Sequence, residues 1–265
     1  MLMINDYIRP KSTREAYELL TNRENSQVIG GGAFLRLSSK DIDLIIDLCD
    51  LDLNFIKETD TAVEIGAMTT FREIEKSDIL KKYFGNLISD SVREIVGVQF
   101  KNYVTVGGSI YPKYGFSDLI TALLALECKV VLYKSGEMRL EDYLKEKIDG
   151  KDILIKIVLA KESTLSSYKS LRKSAGDFSI LNVAVTKNKN GYKVAVGARP
   201  EAAMLAYETA EFLNSNSSVN EDIALKAAEI CCESLSFGSN YLASSEYRKE
   251  LCRVLVKRAI MEVVK

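Results

Sequence analysis

Two stretches of this chain join a strand-like run to successive glycines. The first reads Val28-Ile29-Gly30-Gly31-Gly32-Ala33-Phe34-Leu35 and the second Val104-Thr105-Val106-Gly107-Gly108-Ser109-Ile110. Consecutive glycines take positive φ readily and lack Cβ atoms, so several backbone N–H groups can turn toward one anion. Small residues opening a helix add the positive end of its dipole. Alone, the first stretch reads equally well as a phosphate loop and as a tight strand-to-helix turn without a ligand. It matches neither G-x-G-x-x-G nor a loop ending Gly-Lys-Ser/Thr, so no Rossmann fingerprint or triphosphate loop is present. In the second stretch Thr105 and Ser109 flank Gly107 and Gly108 with hydroxyl groups, and Asp118 follows. That carboxylate suits a ribityl or ribose hydroxyl, and it also suits the N-terminus of the helix from Leu119; its two oxygens allow both roles. Two such loops are what a dinucleotide with a central pyrophosphate requires.

What is missing narrows the chemistry further. The chain has no histidine, which excludes Ser–His–Asp and Cys–His nucleophilic catalysis and His-ligated metal sites. Redox or transfer chemistry must therefore come from a cofactor. The five cysteines, Cys49, Cys128, Cys231, Cys232 and Cys252, form no C-x-x-C. They read as small buried hydrophobes in a reducing cytoplasm rather than as ligands of a zinc or iron–sulfur site. Charge is nearly balanced, 36 basic against 37 acidic residues, with no basic block aimed at nucleic acid or a membrane surface. No apolar run approaches the roughly 20 residues of a membrane span, and the first residues carry no signal-peptide pattern.

The elements that must position these stretches alternate between helix and strand. Ser12-Thr13-Arg14-Glu15 is a capping-box pattern, with Ala16, Leu19 and Leu20 at helical spacing behind it. Gln27 to Ile29 and Leu44 to Leu48 read as strands, with Ala33 to Leu37 helix-like between them. Ala62 to Ala67 alternates as a strand, and helices are expected from Phe71 and over Phe84 to Val96. Val104 to Ile110 reads as extended, Leu119 to Glu127 as an apolar helix, and Lys129 to Tyr133 and Ile153 to Leu159 as strands. The texture changes after Thr164. Tyr168 to Leu171, Asn182 to Lys187 and Tyr192 to Gly197 read as strands. A hairpin at 188–191 uses Asn190-Gly191 for its left-handed positions. Helices over Asn220 to Leu235 and Ser244 to Val264 complete the pattern. The division expected is 1–162, with subdomains of about 1–55 and 56–162, followed by 163–265.

The segment Lys101 to Ile110, followed by Ser117-Asp118-Leu119 and Ala122 to Leu126, resembles the FAD-binding medium subunits of molybdenum hydroxylases, the xanthine dehydrogenase and carbon monoxide dehydrogenase flavoprotein family. That family reads Ile-Arg-Asn-x-Ala-Thr-Ile-Gly-Gly-Asn, then Ser/Ala-Asp-Leu and a Leu-Leu-Ala-Leu helix. Val28 to Leu35 is similar to its Val-Ala-Gly-Gly-Thr-Asp-Leu loop, and Ile65 to Thr70 to its Ile-Gly-Ala-x-Thr-Thr. Ala243 to Arg248 resembles its Gly-Ser-Ala-x-Tyr-Arg.

The resemblance implies an α+β fold. A two-subdomain FAD-binding part of the vanillyl-alcohol oxidase (PCMH) type is followed by a C-terminal α+β domain. It implies that Val28, Ile29, Gly30, Gly31, Gly32, Ala33, Phe34 and Leu35, with Thr105, Gly107, Gly108 and Ser109, hold the pyrophosphate and adenosine. It places Asp118 on a sugar hydroxyl, Ile95 and Leu154 on the rings or in the core, and Lys169 and Lys173 near the isoalloxazine or on a solvated basic face. It implies no catalytic acid or base. Molybdopterin would sit on a large partner subunit and [2Fe–2S] clusters on a small one, with electrons leaving this FAD for NAD or another acceptor. The departures are Ala33-Phe34 for the family's Thr-Asp, Lys101 for Arg, Ser109 for Asn, Ile120-Thr121 for Pro-Pro, and the aromatic run Tyr111 to Phe116 for small residues. A stand-alone FAD reductase of the same fold and a flavin-free assembly subunit are the competing expectations.

Overall fold

The computed structural model describes residues 2–146 and 150–265. It divides into two compact units, each built from more than one stretch of chain. The first contains Met1–Lys76, Gly97–Pro112 and Cys128–Leu159, and the second Ser77–Val96, Lys113–Glu127 and Ala160–Lys265. The expected break near residue 163 lies close to the last of these junctions. The short excursions of 77–96 and 113–127 into the second unit have no counterpart in the expected division.

The first unit holds a parallel sheet of Tyr7–Ile8, Leu44–Asp47 and Ser26–Ile29, with Leu44–Asp47 in the middle. Ile46 lies opposite both Ile8 and Val28. The helix Thr13–Asn22 covers one face, burying Ala16 and Leu20 against Leu44 and Ile46. Its start follows the expected cap: Ser12 Oγ accepts from Glu15 N, while the Glu15 carboxylate accepts from Lys11 N. The first bond satisfies one orphan amide of the first turn, and the second ties the chain before the cap to the helix. A second sheet runs in the order Ile56–Glu58, Ala62–Gly66, Leu154–Ala160, Lys129–Leu132, Gly136–Arg139. Of these strands, Gly136–Arg139 has no apolar alternation to announce it.

Lys101 is 4% exposed in the first unit. Its Nζ lies 2.7 Å from Glu75 Oε1, and Arg72 Nη1 lies 2.7 Å from Glu75 Oε2. Burial pushes the Glu75 carboxyl up, but the hydrogen bonds from Lys101 and Arg72 outweigh it and hold the group below its ordinary value. A depressed carboxyl contributes stability above its unfolded pKa and loses it as pH falls through the folded one. Lys101→Met is therefore expected to lower stability by about 3 kcal/mol at neutral pH, since half of a buried pair is left behind. In thermal melts the gap between variant and wild type should close as the pH falls past the ordinary carboxylate range and through the lowered folded pKa of Glu75.

The second unit is a four-stranded antiparallel sheet, Leu165–Arg172, Ser179–Asn188, Gly191–Gly197 and Met204–Leu205 in that order. Strand Ser179–Asn188 is buried on both faces over 179–186. Leu181, Val183 and Val185 join the core made by helices Glu221–Ser234 and Ser245–Val264. Asn182 and Thr186 turn the other way, onto helix Asp118–Ala125, where they hydrogen-bond Asp118 and the Ala125 carbonyl. Arg248, fully buried, donates to the carbonyls of Ile180, Gly238 and Ala243 and to Asn240 Oδ1. It thereby pins the loop before the last helix to the sheet.

Three local expectations need correction. Val104 to Ile110 is not extended: Thr105 makes a single bridge to Thr70, and Val106–Ile110 is a helical turn. Of the helix expected over Phe84 to Val96 only Leu87–Arg93 is helical, because Phe84 ends the preceding helix Asp78–Phe84 and the chain turns at Gly85 with φ +60°. The hairpin has Lys189 and Asn190 as its two loop residues, between paired Asn188 and Gly191. Only Gly191 takes positive φ there, so Asn190 does not supply a left-handed position. Helix Tyr207–Asn214 has no counterpart in the sequence pattern.

Candidate cofactor site

The carboxyl end of the parallel sheet in the first unit delivers the first glycine stretch. Strand Ser26–Ile29 ends beside Asp47, and Gly30 follows at once. Gly31 and Gly32 both adopt positive φ, 79° and 70°. A Cβ on Gly31 would overlap the backbone carbonyl of Tyr103, so only glycine fits. The chain then winds into a single 3-10 turn, Leu35–Leu37. Ala33 is buried, and Phe34 starts that turn without a side-chain cap.

The second glycine stretch packs directly on the first. Thr105 Oγ1 donates to Gly30 O at 3.0 Å and accepts from Gly108 N at 3.1 Å. A Cβ on Gly108 would stand 2.6 Å from Gly30 O. The two stretches thus meet backbone to backbone, with Thr105 as both the cap of the helical turn and the bridge between them. Removing that hydroxyl should cost about 1–2 kcal/mol. In urea denaturation Thr105→Val is expected to show that loss, and Thr105→Ser to recover most of it.

The donors of the two stretches are used differently. Val106 N donates to Thr69 O at 2.9 Å and Gly107 N to Ala67 O at 2.7 Å. With Gly108 N taken by Thr105, the amides of the second stretch are satisfied within the protein. Among the described residues, no acceptor is placed against the N–H groups of Gly31, Gly32 and Ala33. Both stretches were expected to present backbone donors; the geometry leaves that to the first, while Gly107 and Gly108 serve close packing. The turn after strand Ala62–Gly66 supplies the acceptors, which gives the Ala67-Met68-Thr69-Thr70 run its physical purpose. Three adjacent amides without an acceptor, two of them on positive-φ glycines, follow the end of a parallel strand, a donor set of the kind that suits a phosphate group. Ser109 and Leu154 are buried in the same unit, at 7% and 3% exposure.

In the second unit Asp118 is the centre of a buried polar network. Ser117, not Asp118, caps the helix. Asp118 Oδ1 accepts from Tyr168 Oη at 2.6 Å, Ser179 Oγ at 2.5 Å and Asn182 Nδ2 at 2.9 Å. Its Oδ2 accepts from Arg172 Nη2 at 2.7 Å. The carboxylate expected to meet a sugar hydroxyl is thus already surrounded by donors of its own chain. Burial first, and the neighbouring Asp118 charge second, push the Tyr168 phenol far above its ordinary range. Tyr114 stacks on Phe116 in the same unit, with centroids 4.9 Å apart, and Phe178 meets Phe116 at a tilt, 4.2 Å away.

Strand Leu165–Arg172 alternates, and that separates its cations. Ser167 and Lys169 turn toward Glu262 of the last helix: Ser167 Oγ donates at 2.5 Å, and Lys169 Nζ pairs with the same Oε2. Tyr168, Ser170 and Arg172 turn the opposite way, toward Asp118 and Glu94. Lys173 is exposed beyond the strand end, and Ile95 is half-buried after helix Leu87–Arg93. Arg172, Ser179 and Asn182 were not singled out from sequence as partners of Asp118. Period-two counting back from Arg172 to Tyr168 would have grouped the strand residues.

Known proteins share both the sequence pattern and the fold. The family model described as the FAD binding domain in molybdopterin dehydrogenase matches residues 2–159. The one described as the CO dehydrogenase flavoprotein C-terminal domain matches 166–263. The glyceraldehyde dehydrogenase medium chain of Sulfolobus acidocaldarius is 27% identical over 97% of each chain. The nicotine 6-hydroxylase medium subunit of Paenarthrobacter nicotinovorans is 25% identical, covering 97% of this chain and 96% of that one. Among solved structures, the cyanide-inactivated Cu,Mo-CO dehydrogenase superposes with a TM-score of 0.90 at 22% identity, covering 99% of this chain and 98% of that one. Quinoline 2-oxidoreductase from Pseudomonas putida 86 gives 0.88 at 18%, covering 98% and 96%. The fold is therefore the expected one, a PCMH-type FAD-binding part followed by an α+β domain.

Proposed function

The chain belongs to the family of FAD-binding domains in molybdopterin dehydrogenases, and on that premise we propose that it is the flavin-carrying medium subunit of a molybdenum-dependent hydroxylase or dehydrogenase. The observation that carries the reading is the set of free amides at Gly31, Gly32 and Ala33, locked against Gly30 and Gly108 by Thr105. These residues fit a diphosphate: the donors are adjacent and side-chain-free at the two glycines. Residues 28–35 and 105–109 then hold the pyrophosphate and adenosine of FAD. Ala33-Phe34 leaves this work to backbone groups, since neither side chain offers an oxygen.

Bound FAD supplies two-electron chemistry, taking electrons from [2Fe–2S] clusters of a small partner subunit and passing them to NAD or another acceptor. The residues of this chain bind and orient it and provide no acid or base for the transfer. Molybdopterin belongs to a large partner subunit in this reading; the family's description as molybdopterin dehydrogenase and the designation of relatives as medium chains support it. Among the described residues no group of three or more His, Cys, Asp or Glu could hold a metal ion. None of their helices is long and apolar enough to cross a membrane. In this reading the assembly is cytoplasmic.

Co-expression with candidate molybdenum and iron–sulfur polypeptides tests the assignment. The expected result is a yellow complex whose flavin bleaches when the molybdenum subunit's substrate is added. A yellow protein that purifies alone and is bleached directly by NADH would support a stand-alone reductase and overturn the subunit reading. A colourless complex would point to an assembly subunit.

A further inference from the structure

Asp118, the carboxylate expected on a sugar hydroxyl, is already supplied with donors by its own unit. The first unit holds another carboxylate, at the end of the sheet that delivers the free amides. Asp47 closes strand Leu44–Asp47 and lies directly opposite Ile29, the last residue before Gly30, in parallel register. Neighbouring strands run about 5 Å apart, so Asp47 stands roughly one strand spacing from the residue that leads into the Gly31, Gly32 and Ala33 amides.

The groups around Asp47 orient it without exhausting it. Tyr7 Oη donates to Oδ2 at 2.5 Å and Cys49 N to Oδ1 at 3.0 Å. A carboxylate has about four acceptor sites, so one remains on each oxygen. The hydrogen bond to Asp47, and burial after it, push the Tyr7 phenol up to about 12, so Tyr7 stays a donor at neutral pH. Arg9, which follows the adjoining strand Tyr7–Ile8, is engaged elsewhere: its guanidinium donates to Cys49 Sγ and pairs with Asp50 at 2.8 Å. Among the described residues no cation pairs with Asp47, and the residue is half-buried, open to solvent on one side. An open parallel sheet binds its ligand outside the carboxyl ends of its strands, and a carboxylate ending the strand beside a glycine turn is the group that takes a ribose hydroxyl in nucleotide sites built this way. The glycine turn here lacks the G-x-G-x-x-G spacing, yet strand register brings the same two groups, free amides and a neighbouring carboxylate, to one sheet end.

Resting on the FAD reading, we infer that Asp47, oriented by Tyr7, accepts the 2′-hydroxyl of the ribose in the adenosine half of the cofactor, and that this contact rejects nucleotides carrying a 2′-phosphate. A ribose is one ester bond from the diphosphate, so a single ligand reaches the amides and the carboxylate together, and both belong to the first unit. The hydroxyl is a neutral donor to a charged acceptor, a stronger hydrogen bond than one between neutral groups. A 2′-phosphate would instead set negative charge against negative charge, with Arg9 already committed to Asp50.

Calorimetry on the full chain, freed of cofactor, compares ADP, 2′-deoxy-ADP, 2′-phospho-ADP and FMN for wild type, Asp47→Asn and Tyr7→Phe. Wild type should bind ADP about tenfold more tightly than 2′-deoxy-ADP, the loss of one hydrogen bond to a charged acceptor, and 2′-phospho-ADP more weakly still. In Asp47→Asn the preference for ADP over 2′-deoxy-ADP should shrink to about threefold or less. There 2′-phospho-ADP should gain on ADP, a change that a purely structural role of Asp47 would not produce. Tyr7→Phe keeps the carboxylate but frees it to rotate; it should weaken ADP by about threefold and still exclude 2′-phospho-ADP. FMN, which lacks the adenosine half, should bind wild type and Asp47→Asn alike. Should Asp47→Asn fail to fold, the wild-type comparison of ADP with 2′-deoxy-ADP decides alone. Equal wild-type affinity for those two, no ADP binding by a chain that takes up FAD, or a variant that weakens FMN and leaves ADP untouched overturns the role given to Asp47. A wild-type chain that takes up neither FAD nor ADP sinks the cofactor reading itself.

Discussion

Gly31→Ala is expected to lose at least about 3 kcal/mol of stability and to bind FAD about 100-fold more weakly than wild type. The reason is local and steric. Gly31 sits at φ +79° and its missing Cβ would overlap the Tyr103 carbonyl, a backbone group that cannot rotate away. Either the first glycine stretch shifts or the 98–103 segment does, and both carry the surface that presents the free amides. Gly136→Ala is the matched comparison. Gly136 has a similar φ of 75°, but nothing lies within 4 Å of the place its Cβ would take, so its replacement should lose only the backbone term, about 1 kcal/mol. Urea denaturation of both variants, with FAD titration of each, separates strain from collision. Equal losses in the two would mean that the packing of the glycine stretches contributes little.

Asp118→Ala should be the most damaging change in the second unit, at about 3–5 kcal/mol. It leaves Arg172 as a buried cation without its carboxylate and strips an acceptor from Tyr168, Ser179 and Asn182. Because part of the loss is the stranded charge, the double variant Asp118→Ala with Arg172→Met should recover a portion of it, a non-additivity that a double-mutant cycle measures. Burial, then Asp118, raises the Tyr168 phenol. A phenol held protonated in the fold contributes stability below its unfolded pKa and loses it as pH rises from about 10 toward the folded value. Removing Asp118 takes away the second-largest cause, so the alkaline loss of stability should be shallower in the variant. Additive energies in the cycle would contradict a coupled Asp118–Arg172 pair.

The parts of the molecule legible in the sequence are those governed by local pattern. Ser12 and Ser244 announce their helices because an N-cap hydroxyl acts within a single turn. The glycine stretches are visible because glycine runs have few structural uses, and their meeting through Thr105 agrees with a shared role. Their division of labour is not visible. Whether Gly107 N faces a ligand or Ala67 O depends on a turn some 40 residues away in sequence, a contact that no local pattern encodes. The same holds for Asp118. Its position at a helix start is readable, whereas its four donors come from two strands far along the chain. Lys169 illustrates a different limit: resemblance places a cation on that strand, but the face on which each residue lies follows from register against Ser179–Asn188 and from Glu262 across the packing. Strand Gly136–Arg139, polar and half exposed, escapes because sheet edges need no apolar alternation.

The central claim is that the amides of Gly31, Gly32 and Ala33 take hold of a diphosphate. Calorimetric titration of the apo-protein with FAD and, separately, with riboflavin tests it most directly, because the two share the ring and differ in the phosphates and adenosine. The account requires saturable binding of FAD, with riboflavin at least about 100-fold weaker. Equal affinity for both, or no heat with FAD at saturating concentration, would contradict it.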